Sequence, residues 1–311
     1  MRLSSDFCEK RNNRVDRLDA IALFVAVAER GGFVAAARRT GRSPAGVSRA
    51  IAALEDTLGQ RLFNRTTRAL SLTEAGEKLL QRGRRLLAEY ADMTDALQGG
   101  DAPRGVLTLA APVMFGRLHV MPIVRDFLHD YPEMDVSLLL FDRVVSLVEE
   151  GVDLGLRIGQ LPDSSLVALR VGAVRRVLVA SPDYLSRTGG PQNPDELADH
   201  AFISTFGAAA LQSHWSLGTE EEKTVRFRPR LTVNSVDAAL DAAMAGLGIV
   251  RLFSYQVAEG VGQGRLVRIL QEYEPPASPI HLVRPPGRAP RKVTLFVERA
   301  AAVLRAKFAG A

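Results

Sequence analysis

Between Ser43 and Leu58 the sequence commits to a helix with two unlike faces. Ser43 can cap the first turn with its side-chain oxygen, and Pro44 follows at the first helical position, where a missing N–H costs nothing. Val47, Ile51, Leu54 and Leu58 then recur at intervals of four, three and four, giving one stripe to bury. The opposite face offers Ala45, Gly46, Ser48, Arg49 and Ala50, small or hydrogen-bonding groups around one long cation. Such a face can sink into a DNA major groove: Arg suits guanine O6/N7 or a phosphate, Ser48 a phosphate or base edge, and small residues permit close approach. By itself the pattern fits an ordinary amphipathic helix with a solvated arginine better, so its neighbours decide.

Two helical patterns precede it, Leu18 to Arg30 ending at Gly31-Gly32 and Phe33 to Arg39 ending near Gly41. A tight turn at Gly41, with Arg42 beside it, gives helix-turn-helix spacing. Downstream, Arg61-Leu62-Phe63 and Ala69 to Leu72 can pair as short strands, forming a wing whose tip presents Arg65, Thr66, Thr67 and Arg68 to a DNA backbone or minor groove. Charge agrees: residues 1–100 hold 17 Lys+Arg against 12 Asp+Glu, and the rest of the chain 23 against 23. The whole basic surplus sits where phosphates would be met.

From Thr73 to about Leu97 a longer helix places Leu79, Leu86, Tyr90, Met93 and Leu97 on a coiled-coil seam. Its partner is a second copy of the chain or the chain itself. Gln98 to Pro103 reads as a hinge.

The set Phe24-Val25-Ala26-Val27-Ala28-Glu29, Gly32 to Ala37, Ser43 to Ile51, Leu54-Glu55, Leu58 to Arg65 and Leu70 to Gly76 resembles the opening of a LysR-type transcriptional regulator, in order over some sixty residues. The resemblance implies a fold of α/β class: an N-terminal winged helix-turn-helix with a long linker helix, then a two-lobed effector domain like the periplasmic solute-binding proteins. It makes Ser43 to Ile51 the recognition helix and implies linker helices pairing antiparallel between subunits of a homodimer or homotetramer. The implied partners are double-stranded DNA with an interrupted two-fold operator, a small organic effector, and RNA polymerase if the protein activates. Half-sites would lie about 34 Å apart, or a multiple of that. Two departures bear on base contacts: Pro44, where many members carry Gln, and Gly46, often Ala.

The expected organisation is an arm or start-site extension over 1–14, the winged domain over 15–73, the linker helix over 74–98, a hinge over 99–104 and the effector domain over 105–311. Lobe 1 takes about 105–175 and 276–311, lobe 2 about 176–275. Val106 to Ala110, Asp135 to Phe141, Leu154 to Ile158 and Ile280 to Arg284 read as strands. Phe115 to Tyr131, Arg143 to Gly151, Ser235 to Ala245 and Arg291 to about Phe308 read as helices, with short ones at Pro182 and Pro194. Ligands of open α/β sheets bind beyond the carboxyl ends of strands. That selects Pro112, Val113, Met114 and Phe115, Asp142 with the adjoining Arg143, and Arg157 and Gly159 from lobe 1. From lobe 2 it selects Ser204, Thr205, Phe206, Asn234, Ser235 and Val236. The pocket would be mixed apolar and polar, suited to a modest metabolite, aromatic or carboxylated.

Other classes find little footing. Cys8 is the sole cysteine, and the five histidines lack metal-ligand spacing. No cofactor or metal is expected, and no membrane: no apolar stretch approaches the roughly 20 residues of a membrane span. Ala20 to Ala28 imitates a secretory signal but carries helical spacing between charged flanks. A cytoplasmic location is expected. No nucleophile elbow, dinucleotide fingerprint or phosphate loop occurs. A solute-binding transport component and an enzyme with a DNA-binding head remain as alternatives; export without residues 1–28, or turnover by residues 105–311 alone, would identify them.

Overall fold

The Asp16 carboxylate accepts the Leu18 amide at 3.1 Å and starts α1 (Arg17–Arg30), which stops where Gly31 turns left-handed. The computed structural model describes residues 16–65, 70–98, 103–205, 214–218 and 223–310, with backbone alone at 65 and parts of 85–98. The chain divides into two units, Met1–Asp101 and Ala102–Ala311.

In the first unit, α2 (Phe33–Thr40) ends on left-handed Gly41, and α3 (Pro44–Leu58) begins on Ser43, whose Oγ accepts the Gly46 amide at 3.1 Å. Val47, Ile51 and Leu54 of α3 are buried against Leu23, Phe24 and Val27 of α1 and Ala36 and Ala37 of α2. Each large apolar side chain so buried contributes roughly 1.5–3 kcal/mol. Two positions differ from the periodic reading. Leu58 is 45% exposed, because it closes α3 beyond the elements that could cover it. Ala50 is buried on the flank of the stripe, where a methyl group lets the helices approach.

The wing strands β1 (Phe63–Arg65) and β2 (Leu70–Leu72) pair antiparallel; β1 lies two residues further along the chain than the expected Arg61 to Phe63, and β2 starts one residue later than the expected Ala69. The Glu55 carboxylate accepts the amides of Leu62 at 2.7 Å and Phe63 at 3.3 Å, tying α3 to the wing. Thr73 donates its hydroxyl to the Arg61 carbonyl at 2.7 Å while accepting the Gly76 amide at 3.0 Å, so one side chain joins the wing to α4 (Glu74–Gln98). Leu79, Leu80 and Leu87 of α4 pack on the first unit's own core. Leu86, Tyr90 and Met93 of the expected seam are exposed, and the Leu97 side chain lies outside the described residues.

The second unit holds two five-stranded sheets. One has the order β4-β3-β5-β14-β6, with β3 (Gly105–Ala111), β4 (Met134–Leu140), β5 (Leu154–Ile158), β6 (Val167–Val174) and β14 (Ser278–Arg284). Its core meets α6 (Met121–Asp130) at Phe127 and α10 (Arg291–Phe308) at Phe296, with Phe115 from the turn after β3 buried beside them. The other has the order β11-β8-β12-β7-β13, with β7 (Arg176–Ala180), β8 (Phe202–Thr205), β11 (Leu231–Val233), β12 (Ile249–Phe253) and β13 (Val267–Ile269). Against it lie α8 (Val236–Met244), α9 (Ser254–Gly262) and a hairpin of β9 (His214–Leu217) and β10 (Lys223–Arg226).

Pairing directions decide where the sheets meet. Strands β3, β4 and β5 are parallel, and β6 shares their direction because both β5 and β6 run antiparallel to β14. Strands β8, β11 and β12 are parallel, and β7 runs against them. A single residue, Arg175, joins the end of β6 to the start of β7, and its carbonyl accepts the Ser254 amide at 2.8 Å. The carboxyl edges of both sheets therefore flank one crossover. Residues 143–151 form turns and not the expected helix, because Val145 and Leu147, two apart, are the residues that reach the core.

Gly76 is the tightest junction of the first unit: a Cβ there would stand 2.1 Å from the Leu62 carbonyl oxygen. Gly76→Ala is expected to destabilise the first unit by about 1–3 kcal/mol, the usual cost of overpacking. Scanning calorimetry of the full chain should show the corresponding transition at lower temperature, with that of the second unit unmoved.

Candidate functional site

The recognition face is assembled from capping and packing. Ser43, Pro44, Ala45 and Arg49 are exposed and Ser48 is half-buried, while Val47, Ala50 and Ile51 anchor the other side. Ala45 and Arg49 lie one turn apart on the outer face, and Arg49 makes no ion pair among the described residues. Ser43 spends an oxygen lone pair on the cap and keeps its hydroxyl proton to donate. Arg42 is held: its guanidinium pairs with Asp19 of α1 at 2.8 Å. Of the wing tip, the Arg65 side chain and Thr66, Thr67 and Arg68 lie outside the described residues.

On the lobe-1 edge, β3 runs through Pro112 into α5 (Val113–Phe115), which continues through a π-helical turn over Gly116–Val120 into α6. The Val113 amide donates to the Asp142 carboxylate at 3.1 Å, so the first free amide of this helix is taken by the chain's own acid. Met114 and Phe115 are buried, Phe115 within ring contact of His119, Tyr255 and Phe308. Arg157 donates to the Val145 carbonyl at 2.9 Å and so braces lobe 1, and Gly159, at φ +117°, donates to the Pro279 carbonyl at 2.8 Å.

On the lobe-2 edge, Ser204 is buried, Thr205 is half-buried and Phe206 lies outside the described residues. Asn234 is exposed, Ser235 accepts the Ala238 amide at 3.3 Å as the cap of α8, and Val236 is half-buried. Contacts among the described residues span the lobes: Arg117 pairs with Asp237 at 3.6 Å, and the Tyr255 ring of α9 reaches Phe115 at 5.1 Å and His119 at 5.6 Å. Pro112, Val113, Asp142 and Gly159 thus lie at the carboxyl edge of one sheet and Thr205, Asn234, Ser235 and Val236 at that of the other, whereas Arg157 is engaged inside lobe 1 and Phe115 is buried with ring contacts to both lobes.

Residues 18–77 match the family described as bacterial regulatory helix-turn-helix protein, lysR family, and residues 100–305 match the LysR substrate binding domain. The chain belongs to the LysR family. It is 35% identical over 277 residues to an HTH-type transcriptional repressor of Pseudomonas aeruginosa, covering 88% of this chain and 87% of that one. It is 32% identical over 285 residues to the HTH-type transcriptional activator TtdR of Escherichia coli K12, covering 91% and 92%. The full-length structure of the Vibrio cholerae virulence activator AphB is similar at a TM-score of 0.60 and 30% identity, covering 92% of this chain and 98% of that one. This LysR-type chain is a DNA-binding transcriptional regulator with a C-terminal effector-binding domain, and the relatives it matches are transcriptional regulators, not enzymes. No helix of the described residues is long and apolar enough to cross a membrane.

The LysR effector domain also holds charged groups that the reading by strand ends passed over. Arg176 opens β7 and lies over the Phe253 ring at 4.3 Å; burial lowers its pKa. Arg251 sits in mid-β12, donating to the Ser216 carbonyl at 3.1 Å and facing the Trp215 ring at 5.3 Å. Burial, and then repulsion from Arg176, lower its pKa to about 10. Tyr255 is raised by burial and then by the Asp142 charge. The available signal was a cation inside the apolar run Ile249 to Phe253, where a strand otherwise buried on both faces has no use for one.

His119 lies on the helix that carries Met114 and Phe115, 8% exposed, with Nδ1 at 3.1 Å from Lys307 Nζ. Burial, and then the Lys307 charge, lower its pKa from 6.5 to about 4. Between those values the unfolded chain takes a proton that the folded chain refuses. The stability due to neutral His119 is therefore complete above pH 6.5 and falls as pH drops toward 4, by up to about 1.4 kcal/mol per unit. Denaturant titrations of His119→Gln from pH 7 to 4.5 should show a shallower loss than the parent; parallel curves would show that His119 titrates normally.

Proposed function

We propose that the first unit binds an interrupted two-fold operator in double-stranded DNA as part of a homodimer or homotetramer, with α3 in the major groove and the wing on the backbone. The observation that carries this is the division of α3: Val47, Ala50, Ile51 and Leu54 are buried while Ala45 and Arg49 stand exposed one turn apart. Arg49 and Ser48 would touch base edges or phosphates, Ser43 and the helix start a phosphate, and Pro44 and Ala45 would allow close approach. Arg42, paired with Asp19, reaches DNA only by giving up that bond. Arg65, Thr66, Thr67 and Arg68 would grip the backbone.

The exposed Leu86, Tyr90 and Met93 of α4, with Leu97, supply a seam for a second copy; Leu79 belongs to the domain's own core. The winged domain so read covers 15–73, the linker helix 74–98 and the hinge 99–104. A small organic effector would bind in the effector domain, 105–311, between the two carboxyl edges. It would act by preferring one arrangement of lobes or subunits, since only differential affinity shifts a population. RNA polymerase is a further partner in an activating mode, and the setting is the cytoplasm.

Binding to DNA from upstream of the chain's own gene, compared with scrambled DNA by fluorescence anisotropy over a range of salt, tests the assignment. Arg49→Ala should cost about 1–3 kcal/mol of discrimination between the two DNAs. Arg65→Ala and Arg68→Ala should weaken both alike and each reduce the salt slope by about one. Unchanged discrimination in Arg49→Ala would remove α3 from the groove.

A further inference from the structure

The cross-strand register of lobe 2 gathers cations on one sheet face. Phe253 opposes Arg176, and Arg251 opposes Leu178, so Arg176, Arg251 and Phe253 project from the same face of β7 and β12. The parallel register of Ile249 with Phe202 and Val250 with Ile203 carries Arg251 to the level of Ser204, on that face too. Arg176 and Phe253 are the residues of these strands nearest the crossover, and Ser254 is bonded to it. The row therefore opens on the edge that faces lobe 1.

Neither guanidinium has a carboxylate partner among the described residues. Arg176 has an aromatic face, and Arg251 has one carbonyl and an indole, while its Nε is buried without any hydrogen-bond partner. Two neighbouring cations taken from water without an anion are costly, and a partner carboxylate would satisfy the forks of both. Across the crossover stands Asp142, whose charge acts on Tyr255 and whose oxygen fills the Val113 amide. A second negative group directed at lobe 1 would meet that acid. We propose that Arg176 and Arg251 bind the carboxylate of a monocarboxylic effector, its less polar part directed past Phe253 and Tyr255 toward lobe 1.

This rests on the reading of the interlobe edge as the effector site, and the test separates the two. Trp215, the sole tryptophan of the chain, faces Arg251 and reports binding by its emission. Full-length protein is titrated with acetate, butyrate, benzoate and phenylacetate, with succinate, with the matching amides, and with sodium chloride at equal ionic strength. At least one monocarboxylate should give a saturable change, tenfold or more tighter than its amide and than succinate. Arg251→Gln and Arg176→Gln should each weaken it at least tenfold, and Arg251→Lys less. Without ligand, Arg251→Gln should melt no lower than the parent, because it removes an unpaired buried charge.

Equal response to acid and amide, unchanged affinity in Arg251→Gln, or no response to any monocarboxylate beyond that to chloride overturns the arginine site. The same ligands are then added to the operator complex. A carboxylate bound through Arg251 that leaves operator affinity unaltered keeps the anion site and removes the effector reading. An uncharged ligand that alters operator affinity equally in parent and Arg251→Gln does the reverse.

Discussion

One peptide link carries the arrangement of the effector domain. Because Arg175 alone separates β6 from β7, the two sheets cannot be placed independently. Strand directions then do the rest, bringing the carboxyl ends of β3, β4 and β5 to the same crossover as those of β8, β11 and β12. The helices that follow β3 and β11 start at this crossover, so their first amide hydrogens become the polar content of the cleft. Both starts are already answered from within, Val113 by Asp142 and Ala238 by Ser235. One amide at each start is thus already taken, and the guanidiniums of β7 and β12 are further donors at the same edge.

The N-terminal unit is held by a shorter chain of dependence. Glu55 lies on the inner side of α3 and accepts two wing amides; Thr73 then joins the wing to α4. Neither side chain is on the surface assigned to DNA, yet together they fix the wing relative to the recognition face. The close approach of α4 at Gly83, where a Cβ would stand 3.0 Å from an Ile21 methyl, seats the linker helix on α1. The geometry of the proposed DNA-facing surface is thereby set by groups that lie away from it.

Much of this was legible in the sequence because it rests on local signals. Ser43-Pro44 caps a helix, Gly41 turns one, and strands such as Leu154 to Ile158 carry their own apolar runs. The readings that failed depended on what covers a segment. Leu58 has the right angular position but nothing over it, and 143–151 has a helix's polarity but buries residues two apart. Arg42 looked free because its partner, Asp19, lies 23 residues away on another helix. Arg176 and Arg251 escaped for the same reason: as single cations in apolar strands they have no motif, and only the register of β7 with β12 makes them a pair.

That pair also indicates where the energy of control is stored. The Arg117–Asp237 bridge joins the lobes, but both groups are more than half exposed, and such a bond contributes little in water. Ring packing of Tyr255 on buried Phe115 adds a hydrophobic contact between the lobes. What changes on binding is the compensation of charge at Arg176 and Arg251, where burial makes each interaction count for more than at the surface. A ligand that neutralises the charge where β7 and β12 meet the crossover would favour the arrangement of lobes around the neutralised pair, since only differential affinity shifts a population.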